Sequence, residues 1–297
     1  MCLEKKTVFK GCATALITPF VGDSVDFESL ERLIEFQIKE GANAIVVCGT
    51  TGESATLSDD ERRDIIEFAV KKANKRIPLI AGTGCNNIEK ARELSAFASD
   101  CGADAVMTVT PYYNKASKLG LVKSFEKIAD SVKIPVILYN VPSRTGVDIP
   151  LDVYKELEAH ENIAGVKEAS GNIVTVAKIL ENCKKLCVYS GNDDMALPVM
   201  ALGGMGVVSV VSNIIPKQVA EMCDEFFSGH TEISAKIQKE LLTLIEAMFF
   251  EVNPIPVKTA ACLMGLCSDQ MRLPLCELDT NKLEYLKNVL TRYGIIK

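Results

Sequence analysis

Three side-chain types that can act together on a carbonyl compound lie close together near the middle of this chain. Lys167 sits in Ile163-Ala164-Gly165-Val166-Lys167-Glu168-Ala169-Ser170, at the end of a short apolar run that reads as a buried strand. Packing alone seldom puts a lysine there, because desolvating an ammonium is costly. Burial lowers a lysine pKa, and the neutral amine is a nucleophile toward carbonyl carbon. One element earlier, Leu138-Tyr139-Asn140-Val141-Pro142-Ser143-Arg144-Thr145-Gly146 brings a phenol and a guanidinium. Amine, phenol and guanidinium at neighbouring strand ends point to Schiff-base chemistry on a substrate that carries a carboxylate.

In that chemistry Lys167 forms an imine with an α-keto acid. The iminium then serves as an electron sink, so the adjacent methyl loses a proton and becomes a carbon nucleophile; no cofactor and no metal is needed. Tyr139 would relay protons to and from the carbinolamine and the enamine. Thr50 and Thr51 add hydroxyls in a loop bracketed by Gly49 and Gly52, and Tyr113 adds a second phenol. Arg144 would hold a carboxylate of a second substrate through a two-pronged hydrogen bond. Each residue has an ordinary explanation on its own: a lysine snorkelling to solvent, a half-buried aromatic, turn hydroxyls, a surface arginine. Their convergence is what those explanations leave out. Gly82-Thr83-Gly84 and Gly203-Gly204-Met205-Gly206 lack the flanking pattern of a phosphate or dinucleotide loop and read as tight turns.

The elements that must position these groups repeat. Short β-rich runs occupy residues 13–17, 44–48, 78–81, 105–108, 136–139, 164–167, 186–190 and 207–211. They recur roughly every thirty residues, the size of one βα unit. Between them the apolar period turns helical, with Leu30, Leu33, Ile34 and Ile38 on one face, and Ile65, Ile66, Phe68 and Ala69 on another. Ser58 followed by Glu61 reads as a capping box, and Gly41 and Gly102 stand where helices should stop. Eight such alternations predict an α/β chain closed into a (β/α)8 TIM barrel. A doubly wound open sheet competes, but the regularity favours closure. From about Pro216 the strand pattern ends, and residues 217–229, 232–251, 257–265 and 281–293 read as helices. The expected division is a barrel over residues 1–229 and a C-terminal helical extension over residues 230–297 packed on it. Polar clusters follow every strand run, at the C-terminal ends where barrel enzymes carry their sites.

Bulk properties narrow the function classes. The chain has 297 residues, 48% of them hydrophobic, which is enough for one large core, and its formal net charge is -6. No basic run or basic-aromatic stripe marks a nucleic-acid partner. Met1 to Lys10 lacks a long apolar stretch of the signal-peptide kind, and no apolar segment is long enough for a membrane span. The 11 cysteines lack zinc-ribbon spacing, and only His160 and His230 could assist as imidazole ligands. They read as reduced thiols of a cytoplasmic protein, most of them small core hydrophobes.

Several segments carry a resemblance. They are Gly11-Cys12-Ala13-Thr14-Ala15-Leu16-Ile17-Thr18-Pro19-Phe20, Gly49-Thr50-Thr51-Gly52-Glu53-Ser54-Ala55-Thr56-Leu57, Ala81-Gly82-Thr83-Gly84, Pro111-Tyr112-Tyr113-Asn114, Tyr139-Asn140-Val141-Pro142-Ser143-Arg144-Thr145-Gly146, Val166-Lys167-Glu168-Ala169, Asn253-Pro254-Ile255-Pro256-Val257-Lys258 and Arg272-Leu273-Pro274-Leu275. Over nearly its whole length the chain resembles the dihydrodipicolinate synthase family of the pyruvate-dependent, lysine Schiff-base aldolases. The resemblance implies that Lys167 forms the imine with pyruvate. It implies a proton relay of Tyr139, Thr51 and Tyr113, with Tyr113 supplied by the neighbouring subunit of a tight dimer. Thr50 and Thr51 would also help bind pyruvate, with the Val208 backbone carbonyl nearby and Gly191 in the same binding set. Arg144 would bind the carboxylate of L-aspartate-β-semialdehyde. The enamine would attack the aldehyde, and the semialdehyde amine would displace Lys167 in ring closure, feeding lysine and diaminopimelate synthesis. A homo-oligomer, a dimer of dimers, is implied as well.

N-acetylneuraminate lyases and 2-keto-3-deoxy sugar-acid aldolases share the lysine, the tyrosine and the glycine-bracketed loop. The Gly-Thr-Thr-Gly-Glu loop, the Tyr112-Tyr113 pair and Arg144 in its Ser-Arg-Thr-Gly context argue against them. A non-catalytic ligand-binding or transcription-regulating relative would not need Lys167, Tyr139 and Arg144 together. One departure stands out. Feedback-sensitive members bind lysine beside positions matching Ser54, Ala55, Asn86 and Tyr112, with a glutamate and histidines in that pocket. Here those positions read Lys90, Asp59 and Arg62. Lys90 would repel an incoming α-ammonium, so insensitivity to L-lysine is expected.

Overall fold

The computed structural model describes residues 7–297; the Met1–Lys6 part of the N-terminal stretch read for a leader lies outside the described residues. In chain order come β1 (Gly11–Ala15), the hairpin β2 (Phe20–Val21) and β3 (Ser24–Val25), α1 (Phe27–Lys39), β4 (Ala44–Val47), α2 (Asp59–Ala73), β5 (Leu79–Gly82), α3 (Ile88–Cys101), β6 (Ala105–Val109), α4 (Lys118–Ala129) and β7 (Val136–Asn140). There follow α5 (Pro142–Thr145), α6 (Leu151–Leu157), β8 (Ile163–Glu168), α7 (Ile173–Asn182), β9 (Cys187–Ser190), α8 (Ala196–Ala201), β10 (Gly206–Ser209), α9 (Pro216–Phe227), α10 (Thr231–Ala247), α11 (Ile255–Leu263) and α12 (Thr280–Arg292). Strands β1 and β4 to β10 pair in parallel and close in the order β1-β10-β9-β8-β7-β6-β5-β4. This is the eight-stranded TIM barrel the sequence predicts, with helices outside and α10 to α12 following the last unit.

Alternation along the strands builds two cores. One fills the barrel interior with small side chains from β1 and β4 (Ala13, Ala15, Ala44) against larger ones from β5, β7 and β9 (Ile80, Ile137, Tyr139, Tyr189). At its base Phe9 stacks on Tyr189 with ring centroids 4.1 Å apart, and the Tyr189 hydroxyl donates to the Phe9 carbonyl at 2.9 Å. The other core lies between strands and helices. Side chains fasten the seam where the first strand meets the last: the Asn213 amide donates to the Ala15 carbonyl at 2.8 Å and its oxygen accepts from Ile17 N–H at 3.0 Å.

The eight expected runs all become barrel strands, with displaced ends. The first begins at Gly11 rather than Ala13, because Gly11 and Cys12 pair with Gly206 and Val207 of the last strand, a partnership local hydropathy does not reveal. The last stops at Ser209, before Val211, because the Val210 and Val211 amides turn onto the Asp193 carboxylate at 2.9 and 3.3 Å. The Ser58–Glu61 capping box forms, and Gly102 caps α3 in the left-handed region. The β2–β3 hairpin and the short α5, α6 and α8 carry too few residues for periodicity to mark them. Helix α10 stops at Ala247, short of the expected 251, and its continuation at Phe249 turns into the cavity described below.

The extension is tied back to the barrel by charge. Arg272, between α11 and α12, donates to both carboxylate oxygens of Glu61 on α2, at 2.5 and 2.8 Å. These bonds are the main cause that holds the Glu61 carboxyl down, from its ordinary 4.5 to about 2. A carboxyl depressed on folding adds stability that is full above its unfolded value and is lost as pH falls through the folded one. Unfolding curves collected at stepped pH should therefore show stability declining between about pH 4.5 and 2, with that slope reduced in Glu61→Gln. Equal slopes in the two proteins would show that the pair contributes nothing.

Candidate active site

The loop after β4 sets the first part of the site. Backbone bonds Gly52 N–H to Gly49 O and Glu53 N–H to Thr50 O fold it into consecutive turns. Cys48 and Glu53, at its two ends, both have φ of 54°. Left-handed backbone at non-glycine residues costs on the order of 1–2 kcal/mol each, so tertiary contacts must hold the loop. Two such contacts are visible. Thr18 donates to the Gly52 carbonyl at 2.7 Å, and the Glu53 carboxylate pairs at 2.5 Å with Lys258 of α11. Neither side chain of that ion pair is accessible to solvent. The backbone so held presents Thr51 buried and Thr50 half-buried.

Lys167 is 5% exposed and sits beside Tyr139 and Tyr189 in strand register. Its ammonium nitrogen lies 4.4 Å from the Tyr139 ring centroid. The next residue, Glu168, faces the other way. Its carboxylate takes the Asn140 amide at 2.9 Å and Ser170 N–H at 2.7 Å, which fixes the end of β8 and with it the direction of Lys167. Gly191 follows β9, and a Cβ there would come within 3.1 Å of Lys167 Cε and 2.5 Å of Ala169 Cβ. The missing side chain is what leaves room beside the amine.

A cavity of about 470 Å³ opens over Lys167, and Thr50, Thr51, Tyr139, Arg144 and Gly191 share its wall. Arg144 rides on α5, a single turn begun by Pro142 and ended by left-handed Gly146. Its guanidinium donates to the Asn253 carbonyl at 3.1 Å and pairs with no carboxylate among the described residues. It is thus a cation with donors to spare. The opposite wall belongs to the extension, through Leu242, Ile245 and Glu246 of α10 together with Phe249 and Asn253.

Two expected residues are not among those lining this cavity in their own chain. Val208 is buried in the barrel interior, and Val210 lines the cavity instead. Tyr113 is 90% exposed, with φ of 75°, and is absent from the cavity wall of its own chain. A second cavity of about 290 Å³ lies on the other side of Arg144 and Asn253, lined by Ser54, Arg62 and Tyr112 among others. Arg62 is buried and donates to the Gly82 carbonyl at 3.0 Å, while Lys90 and Asp59 form an exposed ion pair at 2.7 Å. Lys90 therefore does not act as a lone positive charge, contrary to the picture drawn from sequence.

Sequence reasoning left four contributors without a role. Glu53 and Lys258 were visible in matched segments, but nothing local pairs residues so far apart. Asn253 donates to the Thr51 hydroxyl oxygen at 3.1 Å, which directs the Thr51 proton elsewhere. Asp193 is 3% exposed on the cavity wall, and burial pushes its carboxyl up. A carboxylate in a strand-end loop looks like any polar turn residue until its burial is known.

Known proteins share this fold and are similar in sequence. The model of the Dihydrodipicolinate synthetase family matches residues 8–293. A 4-hydroxy-tetrahydrodipicolinate synthase of Thermoanaerobacter sp. (strain X514) is 51% identical over 292 residues, covering 98% of each chain. The crystal structure of dihydrodipicolinate synthase from Aquifex aeolicus superposes with a TM-score of 0.95 at 44% identity, over 97% of this chain and 99% of that one. A structure described as a monomeric dihydrodipicolinate synthase variant has the same TM-score at 40% identity, over 97% of this chain and 98% of that one.

Removing one partner of a buried ion pair leaves the other uncompensated, at a cost of about 3–5 kcal/mol. Lys258→Met should lower stability by that order and raise the concentration of keto acid needed for half-saturation. Glu53→Gln combined with Lys258→Met should recover much of the stability. Denaturant unfolding of the two variants measures the difference, and a single variant as stable as wild type would contradict this role.

Proposed function

Because the chain belongs to the Dihydrodipicolinate synthetase family, we propose that it condenses pyruvate with L-aspartate-β-semialdehyde and cyclises the product. This is the lyase reaction of a 4-hydroxy-tetrahydrodipicolinate synthase, in lysine and diaminopimelate biosynthesis. The observation that carries the reading at the level of residues is the Lys167 amine, buried beneath a cavity whose wall holds Tyr139, two threonine hydroxyls and an arginine with no carboxylate partner among the described residues. Residues 1–229 form the barrel in this reading, and residues 230–297 form the extension that closes the cavity.

The neutral Lys167 amine adds to the ketone carbon of pyruvate. Tyr139 and Thr51 carry protons between nitrogen and oxygen until the hydroxyl leaves as water and the nitrogen becomes an iminium. Thr50 and Thr51 hold the keto acid's carboxylate, with Gly191 giving it room and the Val208 carbonyl beneath. Loss of a methyl proton produces the enamine, whose carbon attacks the semialdehyde's aldehyde. Arg144 grips the semialdehyde's carboxylate, and the semialdehyde's own amine then displaces Lys167 by attack on the iminium carbon. No step draws on a cofactor.

Tyr113 completes the relay of a neighbouring subunit, which accounts for an exposed phenol held with positive φ and outside its own cavity. The protein works as a dimer of dimers in the cytoplasm. No helix of the described residues is long and apolar enough to cross a membrane. L-lysine does not inhibit it. With Asp59 masking Lys90, the insensitivity rests on the absence of the glutamate and the histidines rather than on repulsion by Lys90.

A coupled assay with pyruvate and the semialdehyde tests this. Wild type should turn over, Lys167→Ala should fall to background, and Tyr139→Phe should lose about 10²–10⁴-fold in kcat. Arg144→Ala should raise the semialdehyde KM by about tenfold or more, from the loss of a charged hydrogen bond. Turnover of a sugar acid in place of the semialdehyde would move the assignment to a sugar-acid aldolase. Millimolar L-lysine should leave the initial rate unchanged, and a clear drop would overturn the insensitivity.

A further inference from the structure

Asp193 has no part in the chemistry above, yet it is a nearly fully buried carboxylate on the same cavity wall as Lys167. Its Oδ2 accepts the Val210 and Val211 amides, and its main-chain carbonyl accepts Gln238 of α10 at 3.2 Å, so the loop after β9 is held from two sides. Its Oδ1 is buried with no hydrogen-bond partner among the described residues. An isolated buried carboxylate is costly unless something offsets the charge. Resting on the Schiff-base reading, we propose that Asp193 is a positioning residue whose fixed negative charge balances the Lys167 nitrogen as ammonium and as iminium.

The charge balance supports this. The groups that face Lys167 across the cavity are Tyr139 of β7, Arg144 of α5, Glu246 of α10, and Asp193 and its exposed neighbour Asp194. Asp193 also lies near Cys12 of β1 and Cys223 of α9, whose thiols burial pushes up and so keeps neutral. Burial raises the Asp193 carboxyl, while the Ser209 hydroxyl, the two amides and the Lys167 charge all work against that rise. Among the groups around Asp193, Lys167 is the cation that does so. Amine addition consumes a neutral Lys167, and loss of water leaves a cation at nearly the same place. A fixed carboxylate nearby favours that cation without having to reorganise.

The test is the pH dependence of borohydride trapping of the pyruvate adduct, followed by intact mass, on the full chain. In Asp193→Asn the amide oxygen can still accept the Val210 and Val211 N–H groups, so the fold is retained. Without the negative charge the cationic forms of the nitrogen are less favoured, so the acid limb of the trapping rate moves to lower pH. The fraction trapped at saturating pyruvate falls because the iminium is less favoured. Ser209→Ala weakens the ionised carboxylate without removing it and moves the limb the same way by less, which supplies the answer if Asp193→Asn does not fold. A limb that stays in place in the folded variants, with unchanged trapped fraction, overturns the inference and leaves Asp193 a loop anchor. Absence of any adduct in wild type would instead overturn the Schiff-base reading itself.

Discussion

The buried ion pair between Glu53 and Lys258 is the constraint through which the rest of the site is organised. It joins the loop after the second barrel strand to a helix 205 residues further along the chain, with both charges sealed from solvent. Burial lowers the Lys258 ammonium against the opposing pull of the Glu53 carboxylate, and a buried pair of this kind is a weak source of net stability. What it supplies is register. Glu53 holds its left-handed backbone, and with it the placement of Thr50 and Thr51, against the docked helix behind it. Phe20 packs under the same point, its ring centroid 4.1 Å from the Lys258 nitrogen and 4.4 Å from the Arg272 guanidinium carbon. The first hairpin, the hydroxyl loop and the extension thus meet at one cation-rich contact.

From this contact the division of labour follows. The barrel holds Lys167 and Tyr139 side by side in the ladder, with Gly191 leaving space after the next strand. The extension supplies the enclosure. Helix α10 walls the cavity, and Asn253 touches both functional halves at once, directing Thr51 with its amide and anchoring Arg144 with its carbonyl. The hydroxyl loop and the arginine are therefore positioned relative to each other by Asn253.

Much of this was legible in the sequence, for physical reasons. Each strand buries both faces, so the eight apolar runs stood out, and Lys167 was conspicuous as a charge at the end of one. Gly41, Gly102 and the Ser58–Glu61 box act through near neighbours and could be read locally. The remainder depends on distance. Nothing near Gly11 announces that it pairs with Gly206, and nothing near Val210 announces that an aspartate in the previous loop will draw its amide off the ladder. Sequence put Lys90 and Asp59 at one pocket, but that they bond directly, 31 residues apart, follows only from the packing of α2 beside α3. Asp193 was indistinguishable from Asn192 or Asp194 until its burial was known.

The most direct measurement is a peptide map after reduction with borohydride in the presence of pyruvate. Among the described residues two lysines are deeply buried, Lys167 at 5% exposure and Lys258 at 0%, and of these two the first opens on the cavity. A single pyruvyl group on the peptide that carries Lys167, with Lys258 unmodified, is the predicted result. Modification at Lys258 or at scattered surface lysines, or no modification at all, would contradict the account.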